Sequence, residues 1–244
     1  MDQIILFGDS ITQGSFEPGL DGFGQRLAHA YARKLDVINR GMSGYNAKWA
    51  WPVFRQVRQF PPPGAHVRLL TIWLGANDAC IPPSPQCHPI PDFVQSMNQI
   101  LDHAHATSPG TKIMLLTPPP FSAAYREADL ASRSPPLKLD RSFEHTRAYG
   151  EAIKELGKAR QIPVLDVFRH IWEDAGKSED KMMEYFTDGL HLNRRGYEIV
   201  YREMIGLIQE SYSELDPEKM EYIFVPWKDV DWANPEGSLV PRKV

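Results

Sequence analysis

Five short, almost wholly apolar runs recur along the chain, and longer amphipathic stretches separate them. The runs are Gln3–Gly8, Asp36–Arg40, Val67–Leu74, Lys112–Thr117 and Ile162–Val167. Runs that are apolar at successive positions, without polar alternation, suit strands covered on both faces. The stretches between them, Phe23–Leu35, Ala47–Gln59, Pro91–Ala106, Arg141–Arg160 and Arg194–Tyr212, carry a helical period; Pro52 is expected to kink the second or to mark its true start. Strand–helix alternation of this kind predicts an α/β fold with three layers, α/β/α, around a five-stranded, mainly parallel sheet. Right-handed crossovers then bring every strand's C-terminal end to one edge, where such sheets bind ligands.

Two segments break the rhythm. Pro118–Leu139, with Pro118-Pro119-Pro120 and Pro135-Pro136, reads as a surface loop or lid. Residues 213–244 carry Tyr222, Phe224, Trp227 and Trp232 among four prolines, so this extension is expected to pack on the body (residues 1–212) or on a second subunit. The net charge of −4 offers no basic field for nucleic acid, and no apolar run approaches the ~18 residues of a membrane span. A small molecule is the expected partner. Cys80 and Cys87 are the only cysteines, no Asn-x-Ser/Thr acceptor occurs, and no leader pattern precedes the first strand; together these favour a cytoplasmic setting.

The turns at the ends of the strands carry the chemistry. Gly8-Asp9-Ser10-Ile11-Thr12 comes after the first, Gly41-Met42-Ser43-Gly44 after the second and Gly75-Ala76-Asn77-Asp78 after the third; Asp188-Gly189-Leu190-His191 comes after the fifth and a helical excursion. Four polar or glycine-bearing turns, distant in sequence, converge on one sheet edge. Acyl transfer to a protein hydroxyl needs that hydroxyl, a base, a group orienting the base, and donors for the oxyanion. Ser10 supplies the nucleophile at a strand-to-helix turn, His191 the base, and Asp188, three residues earlier, the orienting carboxylate. The backbone N–H groups of Ser10 and Gly44 and the Asn77 amide are the oxyanion donors, with glycine at 44 expected to keep the backbone approachable. Ile81, Phe121 and Tyr125 are the candidates for walling the acyl or alcohol site.

These blocks resemble those of the SGNH hydrolases, or GDSL esterases: Gly8–Thr12, Gly44, Gly75–Asp78 and Asp188–His191 stand in the family's order. Ile11 replaces the leucine of the name-giving motif, a change within one apolar class. The resemblance implies a flavodoxin-like sheet and a site with neither metal nor cofactor. Phe7–Gly14, Asn39–Tyr45, Leu74–Ala79 and Thr187–Asn193 are most similar to the isoamyl acetate-hydrolysing esterases, which implies short-acyl esters of small alcohols and a homodimer.

Each residue also has a plainer reading. Ser10 alone suits a helix N-cap, and Asp188 a cap for the helix at Arg194. Asp9 is read as a turn or cap residue and Asp78 as structural, pairing with backbone near Asn77. Cys80 is read as a small residue at the pocket mouth, Trp49 and Trp51 as packing residues, and the seven histidines other than His191 as incidental. Cys80, Cys87 and His88 lack a second ligand cluster for a metal. A two-metal phosphoesterase is loosely echoed by the Asp- and His-bearing turns, and a non-catalytic binding module is the third reading. Within the esterase reading, an acyltransferase, thioesterase or sugar deacetylase would use the same acyl-enzyme.

Overall fold

The computed structural model describes residues 1–57 and 64–242. Its sheet has five parallel strands in the order β2-β1-β3-β4-β5: β1 (Gln3–Gly8), β2 (Asp36–Gly41), β3 (Val67–Trp73), β4 (Lys112–Leu116) and β5 (Val164–Leu165). This is the doubly wound order, and its switch point lies between β1 and β3. Side chains alternate across each strand, so the apolar runs feed two cores. Ile4 and Leu6 of β1, Leu69 and Trp73 of β3, and Met114 and Leu116 of β4 face one. Ile5 and Phe7, Leu70 and Ile72, and Ile113 and Leu115 face the other.

The first core is closed by α2 (Phe23–Ala30), α7 (Val167–Asp174), the short α8 (Glu179–Met182) through Met182, and α9 (Arg194–Ser211), and the second by α3 (Ala47–Val57), α4 (Ile90–Thr107) and α6 (Phe143–Arg160). Helix α4 shows why: Phe93, Met97, Ile100, Leu101 and Ala104 recur at three- and four-residue spacing and are all buried. Asn193 starts α9, its side-chain oxygen accepting from the backbone N–H of Arg195 at 2.9 Å and Gly196 at 3.2 Å.

The three-layer fold is as expected; several boundaries move. Helix α2 stops at Ala30 because the chain turns back at Arg33, which has φ +67°. Helix α3 starts at Ala47 and keeps Pro52 inside it, so the proline does not mark the start; Arg58 and Gln59 of the expected helix lie outside the described residues. Strand β5 is only two residues long because Asp166 leaves the sheet to cap α7, its Oδ1 accepting from Arg169 N at 3.1 Å. The proline-rich segment is a surface loop only over residues 133–138, which are exposed and lie outside any helix. Pro118–Ser122 is buried, and Ala123–Ser132 forms a helix, α5.

The C-terminal extension packs on the body at first. Leu215 and Met220 join the core, the Leu215 carbonyl accepts from Tyr31 Oη at 2.6 Å, and Ile223 N donates to Arg33 O at 2.9 Å. Farther on, Trp227 and Trp232 are each 75% exposed. Among the described residues no helix is long and apolar enough to cross a membrane.

Candidate active site

Strand β1 ends at Gly8, and Asp9 caps the five-residue helix α1 (Ser10–Gly14), its Oδ1 accepting from Ile11 N at 2.9 Å. The cap is therefore Asp9, as expected of it, and Ser10 is the first helical residue with its hydroxyl free for other work. Asp9 is almost wholly buried, and burial pushes its carboxyl up to about 7 against the pull of the Ile11 N–H.

His191 comes from a tight loop closed by the antiparallel bridge Phe186–Leu192 and by Thr187 N donating to His191 O at 2.8 Å. Inside it, Asp188 Oδ1 accepts from the backbone N–H of Leu190 at 3.0 Å and of His191 at 2.8 Å. The reversal runs through Gly189 at φ +83°, where an added Cβ would lie 2.4 Å from Arg126 N; only glycine fits both the turn and the neighbour. Asp188 therefore organises its own loop rather than α9. Its second oxygen, Oδ2, stands 2.8 Å from His191 Nδ1, and His191 Nε2 stands 2.9 Å from Ser10 Oγ. An ionised carboxylate only accepts, so it fixes the proton on Nδ1 and leaves Nε2 to accept from the Ser10 hydroxyl. Burial alone would raise the Asp188 carboxyl; the His191 side-chain and backbone N–H groups and that of Leu190 outweigh it and hold the group well below the usual carboxylate range.

Gly44 and Asn77 meet through a residue without a motif. Gln86 Nε2 donates to Gly44 O at 2.8 Å and to Asn77 Oδ1 at 3.3 Å, while Asn77 Nδ2 donates to Tyr45 O at 2.8 Å. The Asn77 amide is thereby held at both ends, with one N–H left over. The requirement for glycine at 44 proves to be conformational: φ is +80°, and an added Cβ would meet nothing nearer than Gln86 Nε2 at 3.6 Å. Asp78 is structural, as expected, with other partners: its Oδ1 accepts from Ala47 N at 2.9 Å, starting α3, and lies 3.0 Å from His88 Nδ1. His88 is thus a buried structural residue, not an incidental one.

The cleft at Ser10 has a volume of about 300 Å³ and is walled by Gln13, Glu17, Leu20, Ser43, Thr187 and Tyr197. Ile81, Phe121 and Tyr125 are not among its lining residues. Ile81 is 38% exposed where its N donates to Asp140 O, and Phe121 is buried. Tyr125 donates its hydroxyl to Thr187 O and lines a neighbouring groove with Ser122 and Met183. Cys80 is wholly buried rather than at a mouth, with Arg141 Nη2 3.1 Å and Asp140 Oδ2 3.3 Å from its sulfur. Trp51 packs against the second core, whereas Trp49 is 38% exposed beside Tyr45. Among the described residues no three carboxylate, thiol or imidazole groups gather as metal ligands would.

Two residues at the site carry no signal in the sequence. One is Gln86. The other is Arg126 on α5, whose Nη1 donates to Asp188 Oδ2 at 2.6 Å. Each is defined by its partners, 62 residues away for Arg126 and 42 for Gln86 at Gly44, so no local pattern could mark them.

Residues 6–199 match the GDSL-like lipase/acylhydrolase family. The chain is 34% identical to an isoamyl acetate-hydrolyzing esterase 1 homolog of Bos taurus, over 98% of this chain and 92% of the relative. It is 29% identical to the isoamyl acetate-hydrolyzing esterase of Saccharomyces cerevisiae, over 94% and 95%. Among solved structures, the aryl esterase of M. smegmatis superposes with a TM-score of 0.66 at 17% identity, over 86% of this chain and 99% of that one, which speaks for the fold. The chain belongs to the GDSL-like lipase/acylhydrolase family and is a serine-type carboxylic ester hydrolase.

Proposed function

We propose that the protein hydrolyses short-acyl, acetate-type esters of small alcohols through a Ser10–His191–Asp188 triad. The observation that carries this reading is the unbroken chain of contacts from Ser10 Oγ to His191 Nε2 (2.9 Å) and from His191 Nδ1 to Asp188 Oδ2 (2.8 Å) at the sheet's switch point. Ser10 Oγ attacks the ester carbonyl while His191 Nε2 takes its proton, and Asp188 stabilises the imidazolium that results. The negative charge on the carbonyl oxygen is received by the N–H groups of Ser10 and Gly44 and by the free N–H of Asn77 Nδ2. Collapse expels the alcohol, to which His191 returns the proton, and leaves Ser10 acylated. Water, deprotonated by His191, then releases the carboxylic acid.

The short-acyl preference is supported by the relatives named as isoamyl acetate-hydrolyzing esterases and by the small cleft. A second reading, deacetylation of a sugar, is favoured by the polar walls that Gln13, Glu17 and Ser43 give that cleft. The exposed Trp227 and Trp232 support a homodimer formed through the C-terminal extension. The test is hydrolysis of p-nitrophenyl esters from acetyl to decanoyl and of an acetylated sugar, by wild type and Ser10→Ala, with and without chelator. Activity that peaks at acetyl, resists chelator and falls by several orders of magnitude in Ser10→Ala is expected. Near-normal turnover by Ser10→Ala refutes the nucleophile, and faster sugar deacetylation selects the second reading.

A further inference from the structure

The carboxylate behind His191 has a second partner. Arg126 is only 7% exposed, and its Nη1 donates to Asp188 Oδ2, the same oxygen that faces His191 Nδ1. Nη1 also donates to Asp129 Oδ2 at 3.1 Å, and the Arg126 Nε is buried without a hydrogen-bond partner. Arg133 Nη2 donates to the same Asp129 oxygen at 2.6 Å and reaches to 3.8 Å from Asp188 Oδ2. Burying a cation with a donor unpaired is costly, and docking α5 does not require it. Ser122 N already donates to Gly189 O at 2.9 Å, and Gly189 lies directly against the Arg126 backbone. The guanidinium adds something else, a positive charge on the oxygen that faces the base.

We propose that Arg126 is a positioning residue that sets the pH range in which His191 works as a base, by sharing Asp188 Oδ2 with it. The consequence for catalysis rests on the esterase mechanism above; the geometry does not. The shared oxygen has two effects. Arg126 pins the carboxylate, so that Oδ1 serves the loop backbone and Oδ2 the imidazole. It also offsets the Asp188 charge, so that protonated His191 is held less tightly than it would be by a lone carboxylate, and the neutral base survives to lower pH. The charged groups that face this pair are Arg126 and Asp129 from α5, Arg133 just past its end and Asp9 from the turn before α1; Arg141 acts on Arg126 and Asp9, and Asp78 acts on Asp9. Burial, opposed by Asp188, lowers the Arg126 guanidinium below its ordinary value, and it remains a cation at neutral pH.

Arg126→Gln, Arg126→Lys and Asp129→Asn test this, each checked for folding by circular dichroism. Two readouts are taken: the acid limb of kcat/KM against pH with p-nitrophenyl acetate, and the His191 imidazole titration by NMR. The NMR resonance is identified by its loss in His191→Asn, and it needs no substrate. In Arg126→Gln, both the limb and the titration are expected to move to higher pH by about one unit. Arg126→Lys keeps the charge and should titrate close to wild type with a lower kcat. Asp129→Asn removes the competing acceptor, and both readouts should move to lower pH. An unmoved imidazole titration in folded Arg126→Gln overturns the proposal, as does a lysine variant that titrates like the glutamine one. If Arg126→Gln does not fold, Asp129→Asn decides, and an unmoved or upward titration is the overturning result. A shifted titration in a protein that cleaves no ester would refute the esterase reading and leave the role of Arg126 standing.

Discussion

Replacing Asp9 by Asn should stabilise the protein by an amount that grows with pH. The carboxyl is 1% exposed beside Ser10, and burial raises it from 3.8 to about 7, with the Ile11 N–H, His191 and Arg141 pulling the other way. An acid raised on folding contributes stability that is fully present below its unfolded value and lost as pH climbs through its folded one. At ~1.36 kcal/mol per unit, the shift from 3.8 to about 7 removes about 4 kcal/mol once the pH exceeds about 7, and about 1.5 kcal/mol at about pH 5. Asparagine has the same shape, keeps an oxygen for Ile11 N and has no charge to bury. Urea unfolding of both proteins at about pH 5 and about pH 8, extrapolated linearly to water, reads the difference. The advantage of Asp9→Asn should widen by about 2–3 kcal/mol between the two conditions, at unchanged m. A gap that stays constant would refute the reasoning, because the carboxylate would then ionise in the fold as readily as in the unfolded chain.

The contacts around the site set other outcomes. Gln86→Ala frees Gly44 O and Asn77 Oδ1 and leaves the Asn77 amide held only through Tyr45 O, so kcat should fall about tenfold, less than the ~10²–10³ expected for losing an oxyanion donor itself, while KM barely changes; steady-state kinetics on p-nitrophenyl acetate measure the split. Phe54, 1% exposed in the second core and 4.9 Å from the Phe7 ring, should cost about 3–5 kcal/mol when cut to Ala, as read by denaturant unfolding. Cutting after Tyr212 would remove the core residues Leu215 and Met220, so the dimer is better tested by Trp227→Ser with Trp232→Ser. Sedimentation should then show a monomer of undiminished stability, and an unchanged assembly size would remove the tryptophans from the interface.

The sequence by itself determined the layer order and the chemical cast. Apolar runs such as Ile4–Phe7 announce strands buried on both faces because burial is written into consecutive side chains, and parallel strands place their exits on one edge whatever the loops do. Ser10, Asp188 and His191 are legible as candidates because each comes after a strand or sits in a short turn whose residue types suit one chemistry. Tertiary structure decided the rest. The proline-rich segment 118–139 looks like loop from its composition, yet it is buried at its start and carries α5, because the Asp188 loop supplies a surface for it. Arg126 and Gln86 belong to the site only through partners far along the chain. Asp9 shows the same division: its cap role is local and readable, whereas its raised carboxyl comes from the burial that the assembled fold imposes. Periodicity reports which face of an element is apolar, but a charge takes its meaning from what the fold packs around it.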